Sequence, residues 1–187
     1  MVDPTPPEVV EHKTADEGVL YAPVDLVSLP RRYLIMIIDV TALLALGLIL
    51  ACLADSETSN SLVFVWIGLV LFYLVILKRS RLRTLGYRVV GAKIVSLRGK
   101  PPSLLRMLFR ALLTQIGPAN PLFDVIWSGN RDNRTMRDML GGTYVVNVDA
   151  QPSRRGRIVY SHMFIFGYSF MYREVQDSTP GYDTSQP

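Results

Sequence analysis

From Tyr33 to Ala54 the chain reads YLIMIIDVTALLALGLILACLA, with Asp39 as its one charge. That run matches the ~20 residues needed to cross a bilayer core. A second apolar run, SLVFVWIGLVLFYLVILK from Ser61 to Lys78, is uncharged until its last residue. Only the polar DSETSN separates the two, which leaves room for a tight turn, so the pattern predicts two antiparallel membrane helices. Arg31 and Arg32 precede the first run, and Lys78, Arg79, Arg81 and Arg83 follow the second, while the turn has no basic residue. Basic residues gather on the cytoplasmic side of membrane helices. Both ends of the hairpin, and with them the N-terminus, are therefore expected in the cytoplasm.

Past the hairpin the period changes. AKIVSL (92–97) and TYVVNV (143–148) are short, β-branched segments bounded by turn chemistry, and they are expected to pair in a small cytoplasmic sheet, since each alone would be an open edge. LLRMLFRALLTQI (104–116) is helical by pattern, with Arg106 and Arg110 on one face, where they are expected to contact phosphate headgroups. GPANP (117–121) breaks that helix, and LFDVIWS resumes apolar character around Asp124, expected to be solvated or a local cap. The arginine-rich NRDNRTMRD that follows belongs in the cytoplasm, which favours an interfacial or re-entrant pair over a third straight span. Tyr160, His162, Phe164, Phe166, Tyr168, Phe170 and Tyr172 occupy alternate positions and would share one face of a strand.

These elements predict a fold that is mainly α and integral to the membrane. It comprises a two-helix transmembrane hairpin, a third broken, re-entrant or interfacial helical segment, and a small cytoplasmic β element. Residues 1–28 form a disordered acidic arm, 29–149 the membrane domain, and 150–187 an aromatic-rich extension with a disordered tail.

Composition supports the membrane assignment: 49% of the residues are hydrophobic and only 19% charged. The net charge of +4 comes from cations flanking apolar runs rather than lying on a soluble aromatic-rich face, so no nucleic-acid partner is expected. Residues 1–30 lack the apolar core of a cleavable signal peptide. Cys52 is single and lies within an apolar run, and His12 and His162 are far apart, so no metal site and no cofactor are expected. Nucleophile-elbow, HExxH and phosphate-loop motifs are missing, which argues against an enzyme.

The charges inside the first run carry the sharpest signal. Seven residues separate Arg32 from Asp39, bringing them to nearly the same helical face. An ionised carboxylate at membrane depth costs about 2–3 kcal/mol unless it is paired, wet or protonated. Arg32 and Asp39, followed by TLGYRVVGAKIV, GKPPSLLRMLFR and RDMLGGTYVV, resemble the RDD family over residues 28–148. This family comprises small, mostly bacterial, multi-pass membrane proteins named for one arginine and two aspartates. The resemblance implies that the named charges are Arg32, Asp39 and Asp138, with Thr84, Gly86, Gly91, Gly142 and Thr143 as supporting positions. It leaves the acidic arm and everything after Ala150 outside the family. Members are usually drawn with three spans, whereas here GPANP interrupts the third.

The resemblance implies a transport-linked role at the bacterial inner membrane, with sodium/proton exchange suggested for some members. Membrane lipids, a second copy or another membrane protein would be the partners. In a transporter Asp39 would exchange protons, with Arg32 setting its pKa. In an accessory or assembly subunit the three charges would instead form an interior ion-pair cluster.

Overall fold

Residues 17–53, 59–115, 134–165 and 168–177 are described by the structure, a computed structural model. The chain enters through a short strand, β1 (Glu17–Leu20), and a 3-10 turn at Pro23–Asp25. It then forms α1 (Leu29–Cys52), α2 (Ser59–Leu71), which runs on into a π-helical turn at Phe72–Leu77, and α3 (Leu85–Val90). β2 (Ala92–Ser96), α4 (Leu104–Gln115), α5 (Met136–Gly141) and β3 (Thr143–Asn147) follow. β4 (Arg154–Ile165) and β5 (Tyr168–Asp177) complete the described chain.

β2 and β3 pair antiparallel, as their patterns predict, with Ile94 opposite Val145 and Val95 opposite Tyr144. Side chains alternate across a strand, so this two-stranded ribbon serves two cores. Ala92, Ile94 and Val145 pack toward the helices with Ile35, Val75, Tyr87 and Met107. Val95, Tyr144 and Val146 pack the other way with Tyr21, Leu26 and Val175. The second core is roofed by a three-stranded antiparallel sheet in the order β1-β4-β5.

This architecture overturns the mainly α, multi-pass expectation. Two antiparallel sheets make up much of the described chain. Among the described residues only Leu29–Cys52 is both long and apolar enough to cross a membrane, the second apolar helix, Ser61–Leu77, being shorter. Hydropathy overweights helical runs and passes over strands whose outward positions are polar.

The entry segment is also ordered from Glu17 onward. Val27 is fully buried, its N–H bonds to the Val145 carbonyl oxygen at 3.1 Å, and Val19 N–H reaches Leu97 O at 2.7 Å. Acids on the outward positions had disguised these inward apolar residues as part of a solvated arm.

The aromatic alternation does belong to strands, but its members do not share one face. The β4–β5 register sets Ser161 opposite Tyr172 and His162 opposite Met171. Directly opposed residues point to the same side, so Tyr160 and His162 lie on one face, and Phe170 and Tyr172 on the other. The turn reverses the parity on which single-strand counting relies. Residues 1–16, the turn expected at 54–58, GPANP, Asp124 and the tail from 178 lie outside the described residues.

Candidate functional site

The arginine pair opens α1 because each guanidinium ties the helix entry to a different partner. Ser28 precedes the helix in extended conformation and Pro30 lies in its first turn, where a missing N–H costs nothing. One helical turn later the arginines fan out. Arg31 donates to the Val90 carbonyl and to Asn147 Oδ1 (2.8 Å), clamping the end of α3 and the end of β3. Arg32 donates through Nε to the Val27 carbonyl (2.9 Å) and through Nη1 to Asp138 Oδ2.

Asp138 comes from a short helix with a strong start signal. Thr135 caps α5 in a reciprocal capping box, its hydroxyl accepting from Asp138 N–H while Asp138 Oδ2 accepts from Thr135 N–H, each at 3.4 Å. The fully buried carboxylate is completed by Arg110, whose Nη1 bonds Asp138 Oδ1 and also Thr143 Oγ1. Gly142, at φ +58°, ends α5 in the left-handed region and turns the chain into Thr143. Three elements thus meet at one acid: α1 through Arg32, α4 through Arg110, and α5 itself.

Asp39 is also buried but faces other partners. Its Oδ1 accepts from Tyr73 hydroxyl (2.9 Å) and from Gly86 N–H (2.8 Å), and its Oδ2 accepts from the Thr84 hydroxyl (2.8 Å). The phenol oxygen of Tyr73 in turn accepts from Leu85 N–H at 3.0 Å. Helix α3 is therefore capped from outside, by a carboxylate of α1 and a phenol of the following helix. The Thr84 hydroxyl, whose position would suit a local cap, is spent on Asp39 instead. A carboxylate there also complements the positive end of the α3 peptide dipoles. A Cβ on Gly86 would run into the Ile35 carbonyl oxygen and stand 2.9 Å from Asp39 Oδ1, so only glycine lets α3 approach α1 this closely.

Of the three charges singled out in the sequence, Arg32 and Asp138 come together, and Asp39 anchors a second site with Thr84 and Gly86. Gly91, at φ +67°, closes α3. Arg106 is half-buried. The headgroup contact expected of Arg110 gives way to an inward one, because α4 is amphipathic in the reverse sense. Leu104, Leu105, Leu108, Phe109 and Leu112 are exposed, while Met107 is buried and Arg110 turns inward. Arg110, Tyr73 and Thr135 were not anticipated as partners. The TMRD spacing is a capping-box pattern that could have revealed Thr135.

Burial pushes the Asp138 carboxyl upward, but Arg32 and Arg110 outweigh it and hold the group well below the ordinary carboxylate range. An unfolded aspartate titrates near about 3.9. The unfolded chain therefore binds the extra proton first, and the stabilisation is complete above that value and lost as pH falls below it. The thermal midpoint of the purified protein should stay level down to about pH 5 and fall below about pH 4. A midpoint with the same acid profile in Asp138→Asn would refute the assignment.

A cavity of about 320 Å³ lies between these sites and the apolar helices, with Arg32, Asp39, Lys78 and Arg110 on its wall. Lys78 sits over the Tyr87 ring, 5.0 Å from its centroid. Among the described residues no group of histidine, cysteine or acid side chains is placed to hold a metal ion. In comparisons with known proteins, the model of the RDD family matches residues 26–176. That match takes in β4 and β5, so the aromatic hairpin lies within the family's extent rather than beyond it. No curated protein and no solved structure gives a match.

Proposed function

The chain belongs to the RDD family, and from that premise we propose that it is a membrane-anchored accessory or assembly subunit whose signature charges lock the anchor to the folded domain. The observation that carries this reading is the state of Asp138, which is fully buried with both carboxylate oxygens committed to guanidinium groups of other elements. A buried acid held by two arginines is strict about residue type without any turnover.

The anchor in this reading is α1. Its most apolar window has a mean hydropathy of 2.6 and is only 17% buried in the protein, whereas the core helix of a soluble domain would be mostly covered. Arg31 and Arg32 favour the bacterial inner membrane with the N-terminal end of α1 on the cytoplasmic side. A second reading, ion or solute movement of the sodium/proton exchange kind, is favoured by one observation: Asp39 borders the cavity between α1 and α2. Against it, every donor on Asp39 is a group that holds α3 in place.

Purified protein in liposomes loaded with a pH-sensitive dye, challenged with sodium, discriminates the two. The accessory reading expects no sodium-driven signal from folded wild type, and co-purification of a membrane partner from native membranes. A signal in wild type that Asp39→Asn abolishes would overturn it in favour of exchange.

A further inference from the structure

We propose that the cavity between α1 and α2 is a binding site for one anionic phospholipid, with its phosphate at Lys78 and Arg32 and its acyl chain between the two helices. The cavity has two chemically distinct halves. Met36, Val40 and Leu43 of α1 face Trp66, Val70 and Leu74 of the second apolar helix, at spacings that keep each set on one helical face. No charge interrupts this part. Its other end is lined by Arg32, Lys78, Arg110 and Arg137, with Asp39 as the one acid on the wall among the described residues.

Among the described residues, no acid closes an ion pair with Lys78. Asp138 answers Arg32 and Arg110 from behind the wall, and Asp39 spends its oxygens on Tyr73, Thr84 and Gly86 rather than on any cation. Among the described residues the Lys78 ammonium lies over the Tyr87 ring within the field of Asp39 and Asp138, and Arg32 Nη2 is buried with no acceptor. Burial, opposed by Asp39 and Asp138 and helped by Arg110 and Arg137, brings the Lys78 pKa down to about 8. A desolvated cation that shares a cavity wall with an unanswered guanidinium N–H asks for an oxyanion. The volume of about 320 Å³ lies within the usual range for small-ligand sites, about 300–1,000 Å³.

Free phosphate would satisfy the charged end but leave the apolar half empty. A phospholipid fills both, and Leu44, Leu48, Val63, Phe64 and Ile67 expose apolar surface on the same two helices. This site goes beyond the accessory reading but rests on its placement of α1 in the membrane.

Trp66 makes the site observable. With Trp127 replaced by phenylalanine, full-length protein is reconstituted in phosphatidylcholine vesicles containing a minor fraction of a bromine-labelled lipid. Brominated phosphatidylglycerol should quench Trp66 at lower mole fraction than brominated phosphatidylcholine. Lys78→Gln should weaken that preference about five-fold, the scale of one basic residue against an anionic headgroup. Val70→Phe, which fills the apolar half and removes no charge, should weaken it too, and serves if Lys78→Gln fails to fold.

Equal quenching by the two lipids, or a preference untouched in a folded variant, overturns the site while leaving the anchor intact. Loss of the preference on adding inorganic phosphate would assign the pocket to a soluble phosphate compound instead. Quenching by neither lipid would overturn both the site and the membrane placement.

Discussion

Asp138→Asn is expected to destabilise the folded protein by about 3–5 kcal/mol, the usual cost of removing one partner from a buried ion pair. The asparagine keeps the shape of the side chain and can still accept one bond, but it removes the carboxylate that Arg32 and Arg110 share. Both guanidinium groups have only 11% of their side-chain surface exposed, so water cannot replace the lost charge. The consequence should be a loss of docking before a loss of secondary structure, because α1, α4 and α5 meet at this acid and each is helical by its own pattern. Limited proteolysis in detergent should show earlier cleavage around α4 and α5, while far-UV circular dichroism changes little. The Arg154–Asp177 pair provides the internal control. It closes at 2.8 Å, yet Arg154 is 69% exposed, and Asp177→Asn should cost about 0–1 kcal/mol. Equal effects at Asp138 and Asp177 would show that burial is not what gives the cluster its weight.

How much of this was legible in the sequence depended on whether a signal was local. The pairing of β2 with β3 could be read because each strand alternates within itself and each needed a partner. Asp39 stood out as a charge inside an apolar run and drew attention to Arg32 on the same helical face, whereas Asp138 came only with the family resemblance; Arg32 and Asp138 do meet. The partners of Asp39 were hidden as such. Two of them, Tyr73 hydroxyl and Thr84 hydroxyl, are neutral groups that cost little anywhere, and the third is the backbone N–H of Gly86. Arg110 was legible as a charge on an amphipathic helix, but not its direction. An outward-facing arginine and an inward-facing one give the same periodicity, and only the buried acid decides between them. The three-stranded sheet was the largest omission. β1 has four residues and joins β4 from more than a hundred positions away, so neither its length nor its acidic surroundings announced it. The even aromatic spacing was read on one strand, whereas the hairpin divides it between two faces.

Gly86→Ala is expected to cost about 3 kcal/mol or more, through overpacking at a contact that cannot relax and loss of a hydrogen bond to a charged acceptor. The new methyl group meets the backbone carbonyl of Ile35, which is held inside α1, and Asp39 Oδ1 at 2.9 Å, which the Tyr73 hydroxyl holds while the Thr84 hydroxyl holds Oδ2. Neither can swing aside as a flexible side chain would. Helix α3 must therefore withdraw, taking its N–H from Asp39 and leaving a buried carboxylate with one donor fewer. Other glycines separate this effect from a general glycine-to-alanine effect. Gly68, in α2, has nothing within 4 Å of an added Cβ, so Gly68→Ala should be neutral or stabilising by up to about 1 kcal/mol from helix propensity. Gly91 is equally open but sits at φ +67°, so Gly91→Ala should cost about 1 kcal/mol through backbone strain alone. The expected order of thermal midpoints is thus Gly68→Ala highest, Gly91→Ala intermediate and Gly86→Ala lowest. The comparison with Asp39→Ala tests the mechanism. Because Gly86 and Asp39 act through one contact, the double variant should lose less than the two single losses added together. Strict additivity would mean that α3 is not held to α1 through this carboxylate.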